Sequence, residues 1–218
     1  MTERRGLFIT FEGGEGSGKS TQMRLLAERL RAKGCEVVET VEPGGTRIGA
    51  QIRRILLDPA NSDLRPMPEM LLYFASRAQN LTEVIVPALE RGAIVLSDRY
   101  TDSTMAYQGV ARGIGEEAVR ELHRIACDGI DPDFTLLLDI EVDEGLRRSR
   151  ARNRDTRSAE TRFDDEAAAF HRRVRAAYLQ MAAREPARFR VIDGGGDVEA
   201  VARAIWEAVA PALAKAHV

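Results

Sequence analysis

The sequence predicts an α/β fold, a five-stranded parallel sheet flanked by helices. Three observations carry that reading. Short apolar runs alternate with longer amphipathic stretches along the 218 residues. The runs are rich in Val, Ile, Leu and Phe without polar alternation, which suits strands buried on both faces. A glycine-rich loop joins the first run to the first amphipathic stretch, a strand–loop–helix order.

The expected strands cover residues 7–12, 36–41, 93–97, 134–140 and 188–192. Helices are expected over 19–33, 48–57, 68–90, 115–127, 166–184 and 198–214. The first carries Met23, Leu26, Ala27 and Leu30 at helical spacing and stops at Gly34, a residue suited to the position after a helix end. The second and third fall between two strands with no strand of their own. They are expected to cap the carboxyl edge of the sheet, where open α/β sheets bind ligands.

Residues 1–218 read as one domain, since no internal repeat or low-complexity linker divides them. Hydrophobic residues make up 44% and charged residues 30%, enough apolar material for a packed core. A net charge of −2 argues against a general nucleic-acid binder, which would carry a basic footprint. Cys35 and Cys127 are far apart and in no metal-ligand spacing, which fits a reducing cytoplasm. The apolar run 6–11 is too short for a signal peptide and no window reaches membrane-span length. The expectation is a soluble cytoplasmic protein with neither nucleic acid nor membrane as partner. Lysines occur only at 19, 33 and 215 among abundant arginines, so a lysine at a motif position stands out.

That position is Lys19. Gly13-Gly14-Glu15-Gly16-Ser17-Gly18-Lys19-Ser20 matches G-x-x-x-x-G-K-[ST] in full, between an apolar strand and an amphipathic helix. Glycines let the backbone wrap so that its N–H groups face phosphate oxygens. Lys19 would reach the β- and γ-phosphates, Ser20 would offer its hydroxyl to Mg²⁺, and the helix N-terminus favours an anion. The motif marks a P-loop that binds a nucleoside triphosphate.

A guanine-reading Asn-Lys-x-Asp is absent, which argues against a GTPase switch. The strand 134–139 ends in one acid only, and 93–98 runs into Arg99, unlike the paired acids of a motor ATPase. A kinase with a second site for an acceptor explains more. Asp98 ends the third strand and could hold Mg²⁺ or its water shell, and Arg99 could grip an acceptor phosphate with its planar fork. The plainer reading is a helix-capping Asp with a surface Arg. An arginine-dense stretch follows at 147, 148, 150, 152, 154, 157 and 162, with helical signal weakening over 153–161. Most of these suit a solvated helix face. One or two on a mobile lid, about 147–164, would serve phosphoryl transfer by closing on charge and excluding water.

Taken together, these residues resemble the bacterial thymidylate kinases over essentially the whole chain. The resemblance rests on Phe11-Glu12-Gly13 leading into the P-loop, on Glu42-Pro43-Gly44-Gly45-Thr46, and on Asp98-Arg99-Tyr100 followed by Ser103 and Ala106-Tyr107-Gln108-Gly109. It implies transfer of the ATP γ-phosphoryl group to thymidylate (dTMP), with Mg²⁺, in a protein commonly found as a homodimer. It also implies roles. Residues 13–21 through Thr21 would hold ATP, with Arg152 packing on adenine. Glu15 would lie near the acceptor sugar and metal, and Ser20 with Asp98 near Mg²⁺. Arg53 and Arg99 would hold the acceptor phosphate. Glu42, Pro43, Ser103, Thr104, Tyr107 and Gln108 would border the acceptor, and Arg77 would hydrogen-bond the base. Lid arginines would fall among Arg154, Arg157 and Arg162, and the Glu42–Pro43 bond would be cis.

Position by position, helical geometry bears on this set. Tyr73 and Arg77 are four apart and share a face, so both can read one flat ligand. Phe74 sits about 100° round the helix and should point elsewhere, toward the core. The family usually has Phe where Tyr73 stands, so Tyr73 is preferred over Phe74 for stacking on thymine. Some relatives place a catalytic arginine where this chain has Gly16, so closing lid arginines are expected to supply that charge. The acceptor phosphate is itself anionic, so no strong base is needed, and His123, His171 and His217 are given no catalytic part. A kinase for another nucleotide, or a nucleotide-dependent binding protein without turnover, would share the P-loop.

Overall fold

The computed structural model describes residues 6–156, 160–164 and 166–216. Five strands form one parallel sheet: β1 (Leu7–Glu12), β2 (Val37–Val41), β3 (Ile94–Asp98), β4 (Phe134–Asp139) and β5 (Phe189–Asp193). Their spatial order is β2-β3-β1-β4-β5. β1 is therefore central, with β3 paired on one side and β4 on the other. From β1 the chain runs out to the edge strand β2, returns to β3 beside β1, and then crosses to β4 and β5 on the other side. The crevice at that switch of side is where ligands bind in such sheets.

Period-two alternation along β1 divides the core into two layers. Leu7, Ile9 and Phe11 face one side, packing with Met23, Leu26 and Leu30 of α1 (Lys19–Arg31) and with Val201, Ile205 and Val209 of α9 (Val198–Ala216). Phe8 faces the other side with a larger cluster. That cluster draws on α3 (Pro66–Asn80), α4 (Val86–Glu90), α6 (Glu116–Cys127) and α8 (Ala168–Arg184). Each fully buried Phe or Leu contributes roughly 1.5–3 kcal/mol by leaving water, which favours apolar residues at the positions that face these two layers. The remaining helices are α2 (Arg47–Leu57), α5 (Thr101–Thr104) and α7 (Val142–Thr156).

All five expected strands are present, shifted by at most one residue at either end. The helix expected over 68–90 is interrupted by a π-helical turn, Leu81–Ile85, between α3 and α4. Residues 101–111 carry a helical segment that is not among the expected helices. It is α5 followed by a π-helical turn, Met105–Ala111, nearly all of it buried. Its apolar residues face a neighbouring helix, as reflected in the packing of Tyr107 on Phe163 and Phe170. No solvent-facing stripe therefore marks it in the sequence. Helix α7 also runs on to Thr156, past the weakening at 153. No helix among the described residues is long and apolar enough to cross a membrane.

Candidate active site

A cavity of about 370 Å³ opens at the carboxyl edge of β1, β2 and β3. Residues 15–21 form one wall, Val41 to Pro43 and Tyr73 another, and Asp98, Arg99, Ser103, Tyr107 and Gln108 the floor. Arg53, Arg152, Asn153, Glu160, Phe163 and Asp164 close the rim. Its size fits a small-molecule site rather than a surface groove.

The phosphate cradle is held by its own backbone. Gly18 lies at φ 91° and Gly16 at φ 68°, left-handed conformations that favour glycine. A side chain at Gly16 would also overlap the carbonyl of Gly145 in α7. Here an arginine at position 16 is excluded by the close approach of the loop to that helix. Lys19 Nζ donates to the carbonyls of Gly13 (3.1 Å) and Gly14 (2.9 Å). Burial, and then the charge of Arg99, bring the Lys19 ammonium down to about 8.

Ser20 Oγ donates to the Asp98 carboxylate at 2.7 Å. Two hard oxygen ligands side by side at a phosphate loop fit Mg²⁺, which takes one or two protein oxygens and fills its shell with phosphates and water. No group of three or more His, Cys, Asp or Glu that could hold a metal occurs among the described residues. Mg²⁺ bound mainly through phosphates needs no such group.

Arg99 turns into the cavity because its backbone adopts φ 72°, a conformation few side-chain-bearing residues take. The turn is pinned at both ends: Arg99 N–H donates to Phe11 O (3.0 Å), and Ser97 Oγ donates to Arg99 O (2.7 Å). The guanidinium then donates to Glu15 Oε1 at 2.8 Å and to Ser103 Oγ at 3.1 Å. Tyr107 also donates to Glu15 Oε1, at 2.8 Å. Burial raises the Glu15 carboxyl, but Arg99 and Lys19 outweigh it and bring it down to about 2. The result is a fixed anion holding a fixed cation beside the P-loop.

Beneath Arg99 lies Glu12, fully buried at the end of β1. It accepts from Tyr100 N–H (2.8 Å), Ser103 Oγ (2.6 Å) and Tyr178 OH (2.7 Å). Burial, and next the charge of Asp102, push its carboxyl up to about 7 despite those donors. The sequence reading gave Glu12 and Tyr178 no role. A lone acid closing the apolar run LFITFE was the available signal for Glu12; Tyr178 gives none, since only packing of α8 brings it here.

The acceptor side behaves as helical geometry requires. Tyr73 borders the cavity, whereas Phe74 is 2% exposed and belongs to the core. Phe74, the alternative to Tyr73 for stacking on the base, is therefore set aside as a correction: one residue along a helix rotates the side chain away. Arg77 lies just behind the wall, 1% exposed, paired with Glu42 Oε2 at 2.6 Å and donating to Thr104 Oγ1 at 3.0 Å. Burial opposes the charge of Arg77, but Glu42 more than restores it, so its pKa rises above the ordinary value. Its Nη1 has no partner among the described residues. Thr104 thus supports Arg77 rather than lining the cavity. The Glu42–Pro43 bond is cis. Arg53 donates to Pro43 O and pairs with Glu160.

The arginine-rich segment divides. Arg152 reaches the cavity rim, but Arg154 does not line it and is exposed on α7. Arg157 lies outside the described residues. Arg162, expected to close on the nucleotide, is 6% exposed and donates to Leu56 O, Asn61 O and Leu64 O. It also pairs with Glu69 at 2.6 Å. Arg162 therefore fastens the segment to α2 and α3, a correction that follows from three carbonyls and a buried acid reaching it first. Phe163 and Asp164, next to it, line the cavity instead. Asp164 accepts from Ser149 Oγ (2.9 Å) and from Asn153, both on α7. Of the histidines, His123 contacts Thr101, His171 contacts Phe163 O, and His217 is outside the described residues.

A family model described as thymidylate kinase matches residues 11–205. A thymidylate kinase of Pelobacter propionicus is 54% identical over 202 residues, covering 92% of each chain. One of Trichlorobacter lovleyi is 53% identical over 209 residues, covering 95% of this chain and 99% of that one. The crystal structure of thymidylate kinase from Ehrlichia chaffeensis superposes with a TM-score of 0.75 at 32% identity, covering 94% of this chain and 98% of the other. The motifs, the sheet order and these likenesses agree, and the chain belongs to the thymidylate kinase family.

Proposed function

We propose that this chain is an ATP-dependent nucleoside monophosphate kinase that converts dTMP and ATP to dTDP and ADP. The observation that carries the reading is one cavity with two chemically distinct ends. At one end are the P-loop, Lys19 and the Ser20–Asp98 pair; at the other are Tyr73, Gln108 and, behind them, Arg77. Arg99 stands between, as an acceptor phosphate in line with a γ-phosphate would require.

The residues supply positioning and charge rather than acid–base chemistry. P-loop N–H groups and Lys19 would bind the triphosphate, with Lys19 exchanging its carbonyl partners for phosphate oxygens. Arg99 and Arg53 would hold the acceptor phosphate, and Glu15 keeps Arg99 aimed. Mg²⁺ held by Ser20 and Asp98 would neutralise charge on the donor phosphates. Tyr73 would stack on thymine, and Phe163 and Asp164 would screen water from the side of α7. Preorganised charge of this kind is worth more in a dry site than in water.

The test is ADP release from Mg–ATP across a panel of nucleoside monophosphates. Strong stimulation by dTMP, weaker by dUMP and none by purine nucleotides is the expected result. Stimulation by another nucleotide instead would keep the kinase and overturn the acceptor, and none at all would leave a binding protein.

A further inference from the structure

We propose that Glu69 sets the hydrogen-bond polarity of Gln108, so that the acceptor pocket selects bases presenting N3–H, thymine and uracil, over cytosine. The inference rests on the reading of this cavity as a nucleotide-acceptor site. Glu69 stands in the first turn of α3 and is 0% exposed. Gln108 stands in the π-helical turn Met105–Ala111 and lines the cavity. Gln108 Nε2 donates to Glu69 Oε1 at 2.7 Å.

Two guanidinium groups claim the same carboxylate. Arg162 reaches Oε2 at 2.6 Å and Arg112 reaches Oε1 at 3.3 Å. Paired in this way, Glu69 offers acceptor oxygens only. The Gln108 carboxamide must then turn its NH₂ end toward Glu69, which leaves its carbonyl oxygen as the acceptor for a ligand. A carboxamide without such a neighbour can present either end, because the two ends are close in shape and opposite in polarity.

Just behind the cavity wall, Arg77 Nη1 is buried and unpaired among the described residues, a donor that a bound base could engage. An acceptor beside a donor matches the N3–H and C4 carbonyl of a thymine or uracil ring. Cytosine offers an unprotonated N3 and an amino group, so both positions would oppose it. Sites built to hydrogen-bond a substrate reject mismatched analogues strongly, because their buried polar groups are left unpaired.

Glu69→Gln tests the assignment. In that variant Arg162 and Arg112 claim the oxygen of the new carboxamide, and its NH₂ faces Gln108, which can then turn its own oxygen inward and its NH₂ to the base. The ratio of kcat/KM for dTMP to kcat/KM for dCMP is expected to fall by about tenfold or more. Both acceptors share one ATP site and one covering segment, so a merely structural defect lowers both rates and leaves the ratio alone. An unchanged ratio in a folded variant overturns the proposal. Should the variant fail to fold, wild-type protein is assayed with 3-deazathymidine 5′-monophosphate, in which C–H replaces N3–H without added bulk. A loss of about a hundredfold in kcat/KM against dTMP supports the assigned polarity, and near-equal turnover overturns it. Failure of the underlying reading is separate: wild-type protein would then show no stimulation by dTMP.

Discussion

The phosphate cradle and the arginine-rich segment both concern phosphate, yet they are built in opposite ways. In the cradle, ligand groups belong to consecutive residues, and the backbone fixes their direction: Gly16 and Gly18 hold left-handed conformations and Lys19 bends back over its own loop. In the segment, identical side chains have different fates. Arg147 and Arg148 pair with Glu144 one turn earlier, Arg162 is buried against α2 and α3, and Arg152 reaches the cavity rim. A guanidinium goes where acceptors are, and those acceptors come from distant parts of the chain. Backbone-encoded sites can thus be located by motif, whereas side-chain-encoded ones depend on packing.

The largest expected effect is at Lys19. Lys19→Ala should lower kcat by about a hundredfold or more while circular dichroism and thermal unfolding stay near wild type. A loss of only a few fold would put the cradle on the same footing as the segment.

Arg162 and Arg154 sharpen the contrast within the segment. Arg162→Ala would leave three carbonyls and part of Glu69 without a partner and should destabilise the fold by about 2–4 kcal/mol. Arg154→Ala, at an exposed position, should leave the melting temperature unchanged, so any defect appears in the rate alone. Equal melting temperatures for the two variants would deny Arg162 its anchoring part.

The smallest effect is in pH dependence. A lysine held at about 8 loses its charge well below the ordinary lysine range, so the sign is a loss of ATP capture on the alkaline side. The kcat/KM for ATP should fall as pH rises through about 8. In kcat the same limb should move to higher pH, because bound phosphates favour the protonated ammonium. A limb that stays put in both profiles would belong to another group.

Legibility followed the same division. The strands were readable because burial makes them mostly apolar, most of all the inner strands β1, β3 and β4, and the P-loop because its spacing is a backbone requirement. Tyr73 against Phe74 was readable because helical rotation is fixed at 100° per residue. The segment 101–111 was not, since its own helical stripe is hidden beneath α8, and Tyr178 was not, since no local pattern tells that α8 will cross Glu12.

The sequence by itself determined the α/β class, the strand positions, the phosphate cradle and the family. Those rest on local periodicity and on contiguous residues. Only the tertiary structure decided that Glu12 gathers three donors beneath Arg99, that Arg162 is an anchor, and that Glu69 meets Gln108 across thirty-nine residues of chain. The physical reason is that a polar side chain takes its function from its partners, and partners distant in sequence are chosen by how the helices pack.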